Sequence, residues 1–335
     1  MLSPESNVAP TIYLNNFYEK YEDGTSLESI LSEIADIRVS HEVDKNMDVS
    51  NILEFDNVKD KIIPRLVGIE NNDKFLENRP FSVVEDLAIV YCIDLGEDEK
   101  GVMSIPISNE LMDNWGVDVD TLKDVAIKNL PEITPSKFRS MAEVMREMML
   151  PNMIDNFGGD REAAEEVFND MMPVDDMMYI LSNEKSLNGA TALLDDSMME
   201  QVAEKVGNLF YILPSSTHEC IIVPNNPGMD LATLEDMVQT VNATEVAPQD
   251  KLSDHVYMYD NDTKEIFRAD KLEEHLQNKE NSRAESSKDV KKDISEKSDK
   301  KISLKGRLEE KKNVVKELDK KTPAKEISKN RNNSL

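Results

Sequence analysis

The sequence predicts an α+β fold of mainly antiparallel sheet segments with helices packed on one side, arranged as two lobes and followed by a disordered C-terminal tail. Three observations predict it. β-rich runs at 81–107 and 177–268 are joined by short turn signals, among them Gly-Glu-Asp-Glu-Lys at 96–100 and Asn188-Gly189, which fold a chain back antiparallel. Apolar residues at i, i+3, i+4 and i+7 mark helices outside those runs. Charge changes sign near Asp270: the first 270 residues hold 20 basic and 54 acidic residues, a balance of −34, and the remainder is +6. Such asymmetry marks a folded body with a solvated arm.

In chain order, residues 11–22 read as a short helix or an extended arm, broken by Gly24. Ser26 caps a helix through Ser40, with Leu27, Ile30, Leu31, Ile34 and Ile37 on one face. A further short helix spans 50–60. Residues 61–69 form an edge strand at most, because Pro64 cannot donate to a ladder. Residues 81–95 and 101–107 form a β-hairpin, 109–115 a short helix, and Asp120 caps a helix ending before Pro131. Helices are expected at 136–150 and 160–171, in an acidic stretch holding many of the 18 methionines. Flexible Met side chains make adaptable binding surfaces, although a plain helical hairpin capping the domain accounts for the same pattern. Strands then follow at 177–182 and, after Asn188-Gly189, in GATALLDD. Ser197 caps a helix to Val206, with Met198, Val202 and Val206 facing inward. Strands at 209–213 and 219–223, a helix at 231–244 and a hairpin at 255–268 complete the body.

These elements group into an N-terminal α+β lobe over 1–135, a Met-rich acidic helical segment over 136–176, a C-terminal α+β lobe over 177–270 and a disordered basic tail over 271–335. The tail lacks the apolar area needed to offset chain entropy. Within it, 304–318 (LKGRLEEKKNVVKEL) forms a transient amphipathic helix on binding a partner.

Composition excludes several function classes. A body at −34 repels nucleic acid and anionic lipid, so direct nucleic-acid binding by the body is not expected. Cys92 and Cys220 both sit in apolar runs and read as buried small hydrophobes. The four histidines show no zinc-ligand spacing, and no P-loop or G-x-G-x-x-G is present, so neither a metal nor a cofactor is expected. The N-terminus has no basic or apolar leader pattern, and no apolar run approaches the ~20 residues of a membrane span. A cytoplasmic location without membrane contact is expected.

The body resembles an uncharacterised bacterial family, a domain of unknown function. The residues that carry the resemblance are FYILPSSTHE at 210–219, YILSNEKSLNGATALL at 179–194, DLAIVY at 86–91 with NELMDNWG at 109–116, and the stretch 246–260 ending in LSDHVYMYD. Together they span about residues 11–268. Where relatives carry Tyr-Pro after the LL pair, this chain has Asp195-Asp196. The resemblance implies a bacterial setting near mobile genetic elements and implies no reaction.

The chemical candidates are Ser215, Ser216 and His218, in a compact turn between two strands. A hydrolase needs a base that reaches a serine hydroxyl and an acid that orients the base. Adjacent strand residues point to opposite faces, so Glu219 does not orient His218. Ser216 and His218, two apart, share a face, which leaves a Ser–His dyad conceivable beside a turn whose hydroxyls bond local backbone. The expected function is a non-enzymatic interaction module of a bacterial, mobile-element-associated accessory protein, meeting a protein partner through the Met-rich segment or the tail. A Ser–His hydrolase and an acidic DNA-mimic inhibitor are the alternatives.

Overall fold

A computed structural model describes residues 11–41, 50–70, 72–98, 101–171, 177–214, 216–226, 228 and 230–282. The expected amphipathic helix at 304–318 and most of the expected tail lie outside the described residues. The chain divides into a compact unit through Leu272 and a second from Glu273, helical over 273–282. The first unit is α+β with antiparallel sheets, in agreement with the sequence.

The unit opens with α1 (Asn15–Glu22) and α2 (Leu27–Ser40). Ser26 caps α2, accepting from the Ser29 N–H at 3.2 Å, yet of the expected apolar face only Ile30 is buried. Short helical turns, including α3 (Phe55–Val58), lead into β1 (Ile62–Gly68). After α4 (Asp73–Leu76) come β2 (Phe81–Val84), β3 (Leu87–Asp98) and β4 (Gly101–Pro106). β3 is the spine of this four-stranded sheet. β1 pairs along one side of it, and β2 and β4 share the other. β1 is thus an edge strand, the position where Pro64 is tolerated. The run 81–95, expected as one strand, folds back at Glu85-Asp86. Glu85 takes a left-handed φ of 55° there, and no glycine advertises the turn.

Next, α5 (Asn109–Trp115) and α6 (Val119–Ile133) follow. Asp118, rather than Asp120, caps α6 by accepting from the Thr121 N–H at 2.9 Å, and the helix runs one half-turn past Pro131. The helix expected from 136 begins later. β5 (Ser136–Ser140) joins the second sheet, and Ser140 then opens α7 (Met141–Asn156) through a capping box with Glu143. The 136–176 segment therefore starts as a strand of the sheet that lies C-terminal to it. α8 (Arg161–Met171) packs on α7.

The second sheet collects β5 with β6 (Tyr179–Asn183), β7 (Leu209–Leu213), β8 (Cys220–Pro224), β9 (Tyr257–Asp260) and β10 (Glu265–Arg268), in the order β10-β9-β7-β8-β6-β5. Every adjacent pair is antiparallel. GATALL, expected as a strand, is a 3-10 helix over Gly189–Leu194. Its small residues let one tight helix sink against β6, with Gly189 through Leu193 buried. Then α9 (Asp196–Val206), capped by Asp195, buries Met199, Val202 and Ala203, and α10 (Leu231–Thr244) buries Leu234 and Val238.

β7 explains how the layers stack. All but its first residue are buried, so both faces of the strand are covered. Phe210 and Ile212 join one core with Ile62, Leu66, Ile89, Tyr91 and Ile93 of the first sheet, plus residues of α6 and α9. Tyr211 and Leu213 join a second core with Leu234 and Val238 of α10. One apolar core thus binds the two sheets together. Each fully buried side chain contributes ~1.5–3 kcal/mol.

Tyr259 is an exception inside this core. Its ring packs on Phe210 at 5.3 Å, but its buried hydroxyl has no hydrogen-bond partner among the described residues. Burial first, then the carboxylates of Asp196, Glu200 and Asp260, push its pKa up to about 12. Tyr259→Phe is therefore expected to be neutral or stabilising by ~1 kcal/mol, because no bond is lost and a desolvated hydroxyl is removed. The sign of its pH dependence follows. The unfolded chain loses this proton near ~10 and the folded chain near about 12, so its stability contribution is present below the first value and lost as pH rises through the second. Urea unfolding at neutral pH and in that alkaline window checks both statements. A marked loss at neutral pH would refute them.

Candidate functional site

Leu213 pairs with Ile221, so the turn predicted to hold chemistry is the connection between neighbouring strands β7 and β8. Two other segments clasp it. From 249–254, the Asp250 carbonyl accepts the Thr217 N–H at 2.7 Å, Lys251 bridges to Ser216, and the Ser253 N–H reaches the Pro214 carbonyl at 3.3 Å. From 182–190, Ser182 Oγ donates to the His218 carbonyl at 2.7 Å and the Ala190 N–H to the Thr217 carbonyl at 3.1 Å. Buried Asn183 organises that second segment: its amide donates to the Leu187 carbonyl, and its Oδ1 accepts from the Lys185 and Leu187 N–H groups. Three stretches that carry the family resemblance therefore meet at one place, although they are far apart in the chain.

Ser215 lies outside the described residues. Ser216 Oγ accepts the backbone N–H of His218 at 3.0 Å, a local turn bond. The His218 ring is engaged at both nitrogens. Nδ1 accepts the Asn188 N–H at 3.1 Å, and Nε2 lies 3.3 Å from Asp250 Oδ1. An acceptor Nδ1 places the ring proton on Nε2, facing the carboxylate. A Ser–His dyad needs a ring nitrogen free to accept from the hydroxyl. Among the described residues neither ring nitrogen meets a serine hydroxyl, and Glu219 makes no hydrogen bond to His218. Asp250, the carboxylate that does face the ring, was beyond sequence reasoning because 32 positions separate it from His218 with no spacing signal.

A second polar node ties the sheets together. Asp86, in the β2–β3 turn, accepts from Tyr257 Oη through one carboxylate oxygen and from Ser253 Oγ at 2.8 Å through the other. Ser253 Oγ in turn accepts the His255 N–H at 3.1 Å. Burial, and then the bond to Asp86, raise the Tyr257 hydroxyl well above the ordinary tyrosine range, so it stays a donor. Beside this node Gly68 runs so close to Leu252 that a Cβ would lie 2.3 Å from the Leu252 carbonyl oxygen. Cys92 and Cys220 are free and buried, and burial pushes both thiols up, away from the reactive thiolate. No group of His, Cys, Asp and Glu side chains among the described residues is arranged to hold a metal ion. Among the same residues no helix is long and apolar enough to cross a membrane.

The α7–α8 hairpin packs around a core separate from the one between the sheets. Apolar residues ring α7 on all sides: Met141, Val144, Met145, Met148, Met149, Leu150, Met153 and Ile154. A helix apolar all round belongs inside a protein, yet only Leu150 of α7 is buried. Leu150, Ala164 and Phe168 form a small core of their own, packed by Met145, Met149, Met153 and Ile154. Arg146 fastens the two helices, donating to Asn169 Oδ1 at 2.6 Å and lying over the Phe168 ring. Met148 is 71% exposed and Met171 64% exposed. Along α8, Glu162, Glu166 and Asp170 recur every fourth residue and all are exposed. None of the three forms an ion pair among the described residues, whose hairpin arginines are both drawn to Glu165. Like charges at i, i+4 cost an isolated helix ~0.2–0.5 kcal/mol per pair, so this stripe is a local expense with no compensating ion pair among the described residues.

A family model described as a family of unknown function matches residues 1–261, which includes every segment of the clasp and the hairpin. No curated protein and no solved structure matches the chain.

Proposed function

We propose, from the premise that the chain belongs to DUF5688, a family of unknown function, that it is a non-enzymatic interaction module whose contact surface is the α7–α8 hairpin. One observation carries this reading: α7 is apolar on every side and has only Leu150 buried. Exposed apolar side chains clustered on one hairpin, here Met148, Val167 and Met171, mark a protein contact surface. Exposed methionines adapt to a partner at little conformational cost. The engagement of both His218 ring nitrogens in backbone and carboxylate contacts supports a structural role for the 214–219 turn.

The test is site-specific photo-crosslinking in the full-length chain within the host cell. A photoreactive residue at Met148 or Met171 is expected to form one discrete adduct. The same group at Val83, which is also exposed but lies on the first sheet, is expected to form none. Equal adducts from all three positions, or none from the hairpin, would overturn the proposal.

A further inference from the structure

We infer that the partner of the α7–α8 hairpin presents a cationic amphipathic helix, seated against Val167 and Met171 of α8 with its basic residues over Glu162, Glu166 and Asp170. This inference rests on the interaction reading above and specifies the occupant. The apolar surface comes first: Val167 and Met171 are four apart, on one side of α8, and are 37% and 64% exposed. The carboxylate stripe runs on the adjoining side of the helix, ~100° around it, with Glu166 and Asp170 one residue before Val167 and Met171 and Glu162 one turn earlier. A helix bearing Lys or Arg every fourth position next to a row of Leu, Ile or Met is the mirror of that pattern in charge and in shape.

Charge also selects among occupants. Over 141–171 the hairpin holds eight acidic residues and two arginines, inside a body at −34. A second copy seated hairpin to hairpin would bring the same charges to the same surface and be repelled. An anionic lipid surface is disfavoured for the same reason. A cationic helix instead relieves the repulsion along α8 and supplies the counter-charge missing at its C-terminal turn, where no basic residue stands. The contact then stabilises a stripe that is costly in the free protein.

The experiment uses the full-length chain with methionine methyl groups labelled for NMR, each signal assigned by single substitution. The probes are a synthetic Leu/Lys amphipathic helix and its Lys→Gln counterpart. The expected result is a saturable shift of the Met171 methyl with the Lys peptide, weakened at least tenfold by the Lys→Gln change and by raised salt. The triple variant Glu162→Gln, Glu166→Gln, Asp170→Asn is expected to bind the Lys peptide at least tenfold more weakly while melting at the same or a higher temperature. A merely structural stripe would not give that opposed pair. Equal binding of both peptides, an undiminished triple variant, shifts confined to methionines outside the hairpin, or a dimer by sedimentation that protects Met171 would each overturn the inference. A Met148 or Met171 cross-link that persists when the Lys peptide fails leaves the interaction module standing and removes only the cationic helix.

Discussion

Gly189→Ala is expected to be among the most damaging single-methyl additions in this protein. A Cβ at that position would lie 2.1 Å from Ser182 Oγ, 2.4 Å from the His218 carbonyl oxygen and 2.7 Å from the Asn183 nitrogen. Two of those atoms are backbone and cannot swing away. The third is the hydroxyl that donates to the same His218 carbonyl. The clash therefore pushes the 182–190 segment off the β7–β8 turn and breaks the clasp at its tightest point. Overpacking of a closed site costs ~1–3 kcal/mol and sometimes more, and contact with rigid backbone places this case at the upper end. For a unit of this size the melting temperature should fall by ~6–12 °C. Gly24→Ala is the control. Gly24 also has a special environment, a φ of +94°, but nothing lies within 4 Å of its added Cβ. It should lose only the ~1–2 kcal/mol of a left-handed backbone. Thermal unfolding followed by circular dichroism reads both. A Gly189→Ala protein melting within a degree or two of the parent would show that the approach is looser than described.

Asp86→Ala is expected to cost about as much by a different route. Asp86 is the shared acceptor for Tyr257 Oη and Ser253 Oγ, one bond per carboxylate oxygen. Tyr257 is 1% exposed and Ser253 6% exposed, so water cannot easily replace the lost partner. A hydrogen bond to a charged acceptor is worth ~1.5–3 kcal/mol, and stranding a buried donor forfeits its hydration as well. A loss of ~3 kcal/mol follows. Tyr257→Phe removes one donor and leaves Asp86 with Ser253, so it should cost less. In the double variant the two losses should fall short of their sum by more than ~1 kcal/mol, since the residues share one interaction. Denaturant unfolding of the two single variants and the double closes the cycle. Additive losses would mean that Asp86 acts through something other than Tyr257.

Much of the clasp was written in the sequence without being legible as a clasp. Pro-Ser-Ser-Thr between two apolar runs announced a turn, and Asn188-Gly189 announced another. Asn188 indeed takes a left-handed φ of 53°. What no local pattern could reveal is that the second turn packs on the first, or that Asp250 comes to face His218. GATALL was misread for a related reason. It follows a turn dipeptide as the second strand of a hairpin would, but both edges of β6 are taken by β5 and β8, and Gly189 and Ala190 are small enough to fold tightly beneath the turn. The break at Glu85-Asp86 was missed because a non-glycine residue adopts the left-handed turn, and tertiary bonds from Asp86 hold it there.

The hairpin divides in the same way. Periodicity placed two helices near 136–171, although Pro151, expected to end the first, lies inside α7, and the Ser140–Glu143 spacing carries the capping box that starts that helix. Burial of its methionines is not a property of the segment alone. It depends on whether another layer lies across α7, and among the described residues α8 is the element that does so.

The sequence alone therefore determined the α+β class, most element positions, the acidic body and the membership of a family of unknown function. The first three follow from local periodicity, turn chemistry and composition, which need no knowledge of the rest of the chain, and the last from the resemblance of several segments to a family whose model covers 1–261. Only the tertiary structure decided which side chains meet, His218 with Asp250 and Asp86 with Tyr257, and that Met148 of α7 meets solvent while Met145, Met149 and Met153 pack on the hairpin core. Contacts between distant segments are set by how whole layers pack around a shared core, and no short window of residues contains that information.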